Sequence, residues 1–340
     1  MSDPGVMGAR LFRRTLRLHR PVATAHGPVG DRQILLLGLS DAAGNTGWGE
    51  AAPLAGFTPE TVDEAGQAIL DWLADDDRIE PPATPTARAA VDGALLHLAA
   101  RAAALSLHRH LNPDSPSSFA VSALVTGDTP DDLAAAGRTA VDAGHRTLKA
   151  KVGALAFDAD LARVAALRDA VGPGVAIRLD ANGAWDADEA PGHLERLAGY
   201  GIEFVEEPVA GVDALAAVRA GSPIPIAADE SATSPEGVAA VIAAGAADLL
   251  VLKPSAVGGI VVAAELAAIA REAGLGVVIT SLLDGAVGVS HAAHLASAIG
   301  AIDPAPGLAT SALIAEDVGT PPGHAGGNLL LSASDGEVRV

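Results

Sequence analysis

From Phe119 onward, short apolar runs rich in Val, Ile and Leu alternate with longer Ala-rich runs of helical texture. The runs Ala120–Val125, Thr147–Lys151, Ala176–Asp180, Phe204–Glu206, Ile226–Asp229, Leu249–Lys253 and Val277–Thr280 read as strands. Asp158–Ala170, Ala187–Leu197, Pro235–Ala243 and Ile260–Ala273 read as helices between them. Such alternation predicts an α/β fold of parallel strands with helices outside, and the number of units predicts a barrel. An open doubly wound sheet is the alternative, but no G-x-G-x-x-G follows the first strand to favour it. Before Pro116 the pattern is mixed. Arg14–His19 and Gln33–Leu39 read as strands joined through a Gly-rich turn from Gly27 to Gly30. Thr61–Leu73 and Thr86–Leu105 read as helices, with Thr86 as an N-cap, and Leu111–Ser118 reads as a linker. The expected organisation is a mixed α+β unit over residues 1–116, a barrel over 117–304, and a C-terminal segment over 305–340.

Polar residues stand at the C-terminal ends of successive predicted strands: Lys151, Asp180, Glu206, Asp229 and Lys253, at intervals of 29, 26, 23 and 24 residues. Each interval is the length of one βα unit, and in a β/α barrel these strand ends converge on one mouth. Singly, each acid reads as a surface charge. Glu206-Glu207 before Pro208 fits a solvated loop, and Asp229-Glu230 fits a helix start capped by Ser231 or Ser234. Five coincidences at barrel spacing outweigh that reading. Three carboxylates at one mouth repel unless a cation sits among them, and all-oxygen ligation suits a hard ion, Mg²⁺ first. Lys151 and Lys253 come from strands on opposite sides of the carboxylates. Each can serve as acid or base there, because a second cation and a metal depress an amine's pKa. Lys149 faces the same way as Lys151, two residues along a strand.

Composition sharpens this picture. Only three of the 22 basic residues are lysines, and all three lie in these motifs. A chain that uses Arg for generic positive charge keeps Lys where a proton must be shed, because Arg stays protonated. The net charge of −20 argues against nucleic acid as a partner. The longest apolar stretch, Val238–Ala247, is too short to cross a bilayer. The absence of Cys excludes disulfides and thiolate chemistry and fits a cytoplasmic protein. Arg10, Arg13, Arg14, Arg17 and Arg20 suggest a transit peptide less well than a half-buried strand, and no apolar h-region precedes them. Nothing in the sequence sets the oligomeric state.

Leu148-Lys149-Ala150-Lys151-Val152-Gly153 resembles the K-x-K motif of the muconate-lactonizing subgroup of the enolase superfamily. Leu179-Asp180-Ala181-Asn182, Val205-Glu206-Glu207-Pro208, Ala228-Asp229-Glu230-Ser231 and Leu252-Lys253-Pro254 are similar to its further motifs, in order. The resemblance implies a (β/α)7β modified TIM barrel with an N-terminal α+β capping domain completed by the C-terminal tail. It implies Asp180, Glu206 and Asp229 as ligands of Mg²⁺, for which Mn²⁺ can substitute. Lys151 and Lys253 become the acid/base pair, with Lys149 beside them.

Within the subgroup, Gly47-Trp48-Gly49-Glu50-Ala51-Ala52-Pro53-Leu54, with Gly56-Phe57-Thr58-Pro59-Glu60-Thr61, resembles the cap loop of the o-succinylbenzoate synthase family. Thr126-Gly127-Asp128 and Pro306-Gly307-Leu308-Ala309-Thr310 are similar to its first barrel strand and its tail. That family dehydrates 2-succinyl-6-hydroxy-2,4-cyclohexadiene-1-carboxylate in menaquinone biosynthesis. The metal holds the substrate carboxylate and stabilises the enediolate, Lys151 removes the α-proton, and Lys253 lies against the other face. Asn182, Thr280, Ser281 and Phe57 are then the expected contacts to this small carboxylate substrate. Thr280-Ser281-Leu282-Leu283-Asp284-Gly285 departs from the Ser-rich segment with a Glu-Ser pair seen after strand seven in relatives. Muconate-type cycloisomerase and amino-acid racemase or dipeptide epimerase chemistry therefore remain alternatives. A non-catalytic barrel binding metal or phosphate is the reading from another class. Gly258-Gly259 can cradle a phosphate or simply turn the chain, and His291 and His294, three apart, fit helix packing better than metal binding.

Overall fold

The computed structural model describes residues 5–24, 27–75 and 80–338. The N-terminal part forms a four-stranded antiparallel sheet from Gly8–Leu18, Arg32–Ser40, Thr46–Ala51 and, at the edge beside the first of these, Ile314–Glu316 from the C-terminal tail. Arg32–Ser40 is apolar on both faces because both are covered. Leu35, Leu37 and Leu39 pack under the helices Val62–Ala74 and Pro85–Ala102. Ile34 and Leu36 pack with Leu16, Trp48 and Val287 on the barrel side. The period of two thus divides one strand between two cores.

Local chemistry sets the helix starts. Thr61 accepts from the Glu64 N–H, and Glu64 returns a carboxylate oxygen to the Thr61 N–H at 2.8 Å, a complete capping box. The second helix corrects a sequence expectation. It starts at Pro85, with Thr84 at the cap position making no side-chain cap bond, and it ends at Ala102 rather than Leu105. Thr86 is buried in the first turn, where its N–H and hydroxyl both donate to Glu60, at 2.8 and 2.6 Å. A carboxylate from a distant loop has replaced the local cap, which no local pattern announces. A short helix, Leu107–Leu111, precedes the linker and was not expected.

The barrel is a parallel, sequentially ordered sheet of seven strands: Ala123–Val125, Thr147–Lys151, Ala176–Asp180, Ile202–Glu206, Ile226–Ala228, Leu249–Leu252 and Gly276–Ile279. Long helices follow each strand, from Pro130–Asp142 after the first to Ala286–Ala298 after the seventh. The expected first strand is broken. Ser118–Ala120 pairs antiparallel with Asn328–Leu330 of the tail, and only Ala123–Val125 enters the barrel. The Ser122 N–H donates to the Pro306 carbonyl at 2.9 Å, and the Gly307 N–H donates to the Ile279 carbonyl at 3.0 Å. Pro306-Gly307 therefore lies between the last strand and the first and closes the ring. The helix expected from Ala187 begins only at Ala190, after a turn in which the Asp188 N–H donates to Asp186. Among the described residues no helix is long and apolar enough to cross a membrane.

Cap and barrel are fastened by buried charge. The Asp92 carboxylate, from Pro85–Ala102, accepts the N–H groups of Ile260 and Val261 at 2.5 and 3.2 Å. It occupies the helix N-terminus behind Gly258-Gly259, so that turn has no room for a phosphate. His291 and His294 lie in Ala286–Ala298, every residue of which is buried. The His291 ring packs on Gly93, and His294 Nδ1 lies 3.0 Å from His108 Nδ1. Burial pulls His97 and His108 down to about 4 and His291 to about 3, so these three rings pack as neutral groups.

The strand Thr46–Ala51 lies against Pro85–Ala102 so closely that only Gly fits at two positions. A Cβ on Gly47 would meet Ala94 O at 2.2 Å, and one on Gly49 would meet Ala90 O at 1.8 Å. Both clashes are with backbone that cannot rotate aside. Gly49→Ala should destabilise the protein by at least the ~1–3 kcal/mol typical of overpacking. A lowered midpoint in chemical denaturation would show this, and an unchanged midpoint would refute the close packing.

Candidate active site

The register of the central strands places the site. Lys151 is the cross-strand partner of Asp180, and Asp180 is the partner of Glu206, so three strand ends present functional groups at one level. Asp229 and Lys253 follow Ile226–Ala228 and Leu249–Leu252 directly. Ligand oxygens of Asp180, Glu206 and Asp229 lie within 4.8 Å of one another, the one such cluster among the described residues. All three are buried, at 1–3% exposure.

Lysines meet this charge from two levels. Lys149, below the mouth, donates to Glu206 and pairs with Asp180 at 2.9 Å. Burial pulls its ammonium down, but Asp180, Glu206 and Asp229 together outweigh that and hold it protonated, above its ordinary value. Lys151 is higher and freer. Its Nζ donates to Asn182 Oδ1 at 2.8 Å and stands 3.9 Å from Asp180. Burial lowers its pKa, and the charge of Lys149 lowers it further. Lys253 pairs with Asp229 on the other side, and its Nζ lies 4.9 Å from the centre of the Phe57 ring contributed by the cap.

The carboxylates divide. Burial raises Asp180, but Lys149 and Lys151 reverse this and leave it below its ordinary value. Burial dominates at Glu206 and pushes it up to about 7. Three buried carboxylates whose ligand oxygens lie within 4.8 Å of one another fit a hard divalent cation.

All ten residues nominated from the sequence line one pocket: Lys149, Lys151, Lys253, Asp180, Glu206, Asp229, Asn182, Thr280, Ser281 and Phe57. Asn182 is held at both ends of its amide, receiving Lys151 at Oδ1 and donating from Nδ2 to Glu230 at 2.9 Å. The Ser281 hydroxyl is 2.8 Å from that of Thr310. Asp284 does not line the pocket. It is buried toward the cap, accepting the Leu282 N–H at 2.9 Å beside Arg32.

Sequence reasoning passed over several residues. Glu207 is not a solvated loop residue. It is buried, and it accepts the backbone N–H of Asp229 at 2.8 Å and the Ser231 hydroxyl. Arg178 lines the pocket floor, with its guanidinium stacked on Phe204 at 4.7 Å and donating to Glu203 at 2.7 Å. It lies two residues before Asp180 on the same strand, so the period of two could have found it. Glu230 is pushed up to about 8 by burial and by Asp229 beside it. Nothing in its local sequence separates it from a helix-start acid.

Residues 132–336 match the family profile described as enolase C-terminal domain-like, and residues 6–94 match the MenC N-terminal domain. The chain belongs to the enolase superfamily. Among its relatives, the o-succinylbenzoate synthase of Thermobifida fusca (strain YX) is 41% identical over 200 residues. That match spans 58% of this chain and 61% of the relative, less than two thirds of its length. The L-Ala-D/L-Glu epimerase of Bacillus subtilis (strain 168) is 30% identical over 299 residues, covering 82% of this chain and 81% of that protein. The structure of a substrate-liganded complex of the B. subtilis L-Ala-D/L-Glu epimerase superposes with a TM-score of 0.88 at 28% identity, covering 98% of each chain. Muconate lactonizing enzyme from Pseudomonas fluorescens, complexed with muconolactone, gives 0.88 at 26% identity, covering 98% of this chain and 96% of that one.

The raised Glu206 has a measurable consequence. Between its ordinary value and about 7 the folded metal-free protein keeps a proton that the unfolded chain has lost. That contribution to stability is present at low pH and disappears as pH rises through about 7. A cation must displace the same proton. The affinity for a divalent cation should therefore weaken by up to about tenfold per pH unit below that point. Calorimetric titration across about pH 5.5 to 8.5 should show proton release on binding at the acid end. A pH-independent affinity would contradict the protonation assigned to Glu206.

Proposed function

We propose that this protein is an o-succinylbenzoate synthase, dehydrating 2-succinyl-6-hydroxy-2,4-cyclohexadiene-1-carboxylate to 2-succinylbenzoate. The observation that carries the reading is the pairing of two lysines across a carboxylate triad with a cap that matches the MenC N-terminal domain and brings Phe57 over Lys253. The higher identity to the Thermobifida synthase supports it.

In this reading Asp180, Glu206 and Asp229 hold Mg²⁺, which supplies positive charge for the substrate carboxylate and for the negative charge that develops when its α-proton leaves. Lys151 is the base. Burial and Lys149 favour its neutral amine, and the Asn182 bond directs its Nζ. The α C–H bond breaks and the proton passes to Lys151 Nζ. The electron pair then forms the ring double bond as the neighbouring C–O bond breaks. The same ammonium returns its proton to the departing hydroxide, so that water leaves from the face it was attacked on. Lys253 lies against the opposite face, held between Asp229 and the Phe57 ring. Leu54, Phe57, Leu282 and Leu283 close the pocket with apolar surface that suits a cyclohexadiene ring.

The second reading is dipeptide or N-acylamino-acid epimerisation, favoured by the longer coverage of the B. subtilis epimerase and by the two lysines on opposite sides of the site. Epimerisation needs a working base on each face, whereas syn-dehydration needs one.

Purified protein with Mg²⁺ should convert the cyclohexadiene carboxylate, followed by the ultraviolet change on aromatisation. EDTA should abolish turnover, and Mg²⁺ or Mn²⁺ should restore it. Lys151→Arg keeps the charge but cannot shed the proton, and it should lower kcat by about 10²–10⁴-fold with the fold intact by circular dichroism. Lys253→Arg should be milder. Equal, severe losses at both positions, with turnover of a dipeptide and none of the cyclohexadiene carboxylate, would move the assignment to the epimerases.

A further inference from the structure

The base assigned above sits on a flexible four-carbon stem, and the closest carboxylate oxygen, on Asp180, is 3.9 Å away, too far for a hydrogen bond. Its close contact is the 2.8 Å bond to Asn182 Oδ1. An Asn amide can present either end, and the wrong end would set an NH₂ donor against the ammonium. Two contacts decide which end faces Lys151. The Asn182 backbone is left-handed, with φ at +47°, and its N–H donates to Asp180 Oδ1 at 3.1 Å, which aims the side chain. Its Nδ2 then donates to Glu230 Oε1 at 2.9 Å. Oε1 accepts on this bond whether Glu230 is ionised or carries its proton on Oε2, so it draws the NH₂ end to itself and turns Oδ1 to Lys151.

We propose that Glu230 is a positioning residue for Lys151, acting through Asn182. The inference rests on the reading of Lys151 as the base. Glu230 belongs to the one-turn segment Glu230–Ala232 after the fifth barrel strand, while Lys151 ends the second, so the chain Lys151–Asn182–Glu230 runs across the mouth over three strand ends. Its other oxygen, Oε2, is buried without a hydrogen-bond partner, so the side chain does not tie down its own loop. Glu207 does that work, through the Asp229 N–H and Ser231. A further buried acid beside three carboxylates is unfavourable unless it orients something, and the amide of Asn182 is what it touches.

The test uses the Mg²⁺-loaded protein and exploits the lysine census. With ¹³Cε/¹⁵Nζ-lysine labelling the chain has three side-chain signals, assigned from Lys149→Arg, Lys151→Arg and Lys253→Arg. Glu230→Ala should mobilise the Lys151 Cε signal alone. It should also lower kcat with the cyclohexadiene carboxylate, by up to about 10²-fold, the scale of an ångström-level misplacement. KM and Mg²⁺ affinity should stay within about threefold, and the α-deuterium isotope effect should grow, as proton abstraction becomes slower. Glu230→Gln keeps an oxygen for Asn182 Nδ2 and should restore Lys151 order and most of the turnover. A Lys151 signal in Glu230→Ala as ordered as in wild type overturns the proposal. So does a loss of kcat matched by a loss of Mg²⁺ affinity, since Glu230 would then be serving the metal site. The resonance measurement needs no substrate. If wild type fails to turn over the cyclohexadiene carboxylate, the assigned function fails while the positioning of Lys151 is still decided.

Discussion

Three carboxylates buried within 4.8 Å of one another form the arrangement on which the rest of the structure depends. Like charges in a site of low dielectric repel by several kcal/mol unless something opposes them. The fold opposes them in layers. The in-register pairing of Lys151, Asp180 and Glu206 fixes where two of the acids can be. Lys149 is driven between Asp180 and Glu206 from below, and Lys253 holds Asp229 from the side. Glu207 grips the backbone of Asp229 so that this acid cannot swing out. Burial, helped by the repulsion that remains from Asp180 and Asp229, raises Glu206 to about 7. A β/α barrel is suited to this task because its parallel ladder sets side chains from separate strands at one height, independent of the loops.

The barrel alone does not make the pocket. Arg32, buried on a cap strand, donates to the carbonyls of Ala52 and Pro53 at 2.6 and 2.8 Å, and to those of Leu282 and Leu283 on the barrel side. The residues that follow Pro53 carry Leu54 and Phe57 into the pocket, and Leu282 and Leu283 form the wall opposite. One guanidinium, with its fixed fork of donors, thus sets the spacing between two pocket walls. Glu50 completes the junction by accepting the N–H groups of Gly285 and Gly288 at the start of Ala286–Ala298. The mouth is closed by parts far apart in the chain, which is why the cap contributes to the site and does not merely cover it.

The barrel units, the five strand-end residues and Lys149 were legible because each rests on a local pattern: apolar runs, strand ends and a repeating interval. Asn182, Thr280, Ser281 and Phe57 came only from the family resemblance. What the pattern missed depends on partners distant in sequence. Thr86 looked like a cap because Ser and Thr cap helices locally, but Glu60 reaches its amide from 26 residues away. Ala120–Val125 looked like one strand because only Ser122 interrupts its apolar run, but the tail claims its first part and Pro306-Gly307 interrupts the rest. Asp284, in the segment that departs from the relatives' Glu-Ser pair, is drawn toward the cap by Arg32, distant in sequence, and by the start of Ala286–Ala298. Glu230 stood inside the Ala228-Asp229-Glu230-Ser231 motif with no role of its own, because the group it touches is an amide 48 residues earlier in the chain.

The lysine census has a consequence outside catalysis. All three ε-amines lie in the pocket, where the side chains are between 10% and 26% exposed. Every other basic side chain is an arginine or a histidine, neither of which is acylated as an amine is. Acyl donors, reducing sugars and activated esters that would decorate the lysines of an ordinary protein surface find no lysine there. For such reagents the way to an ε-amine is the way the substrate takes, so lysine damage of this kind falls on the pocket.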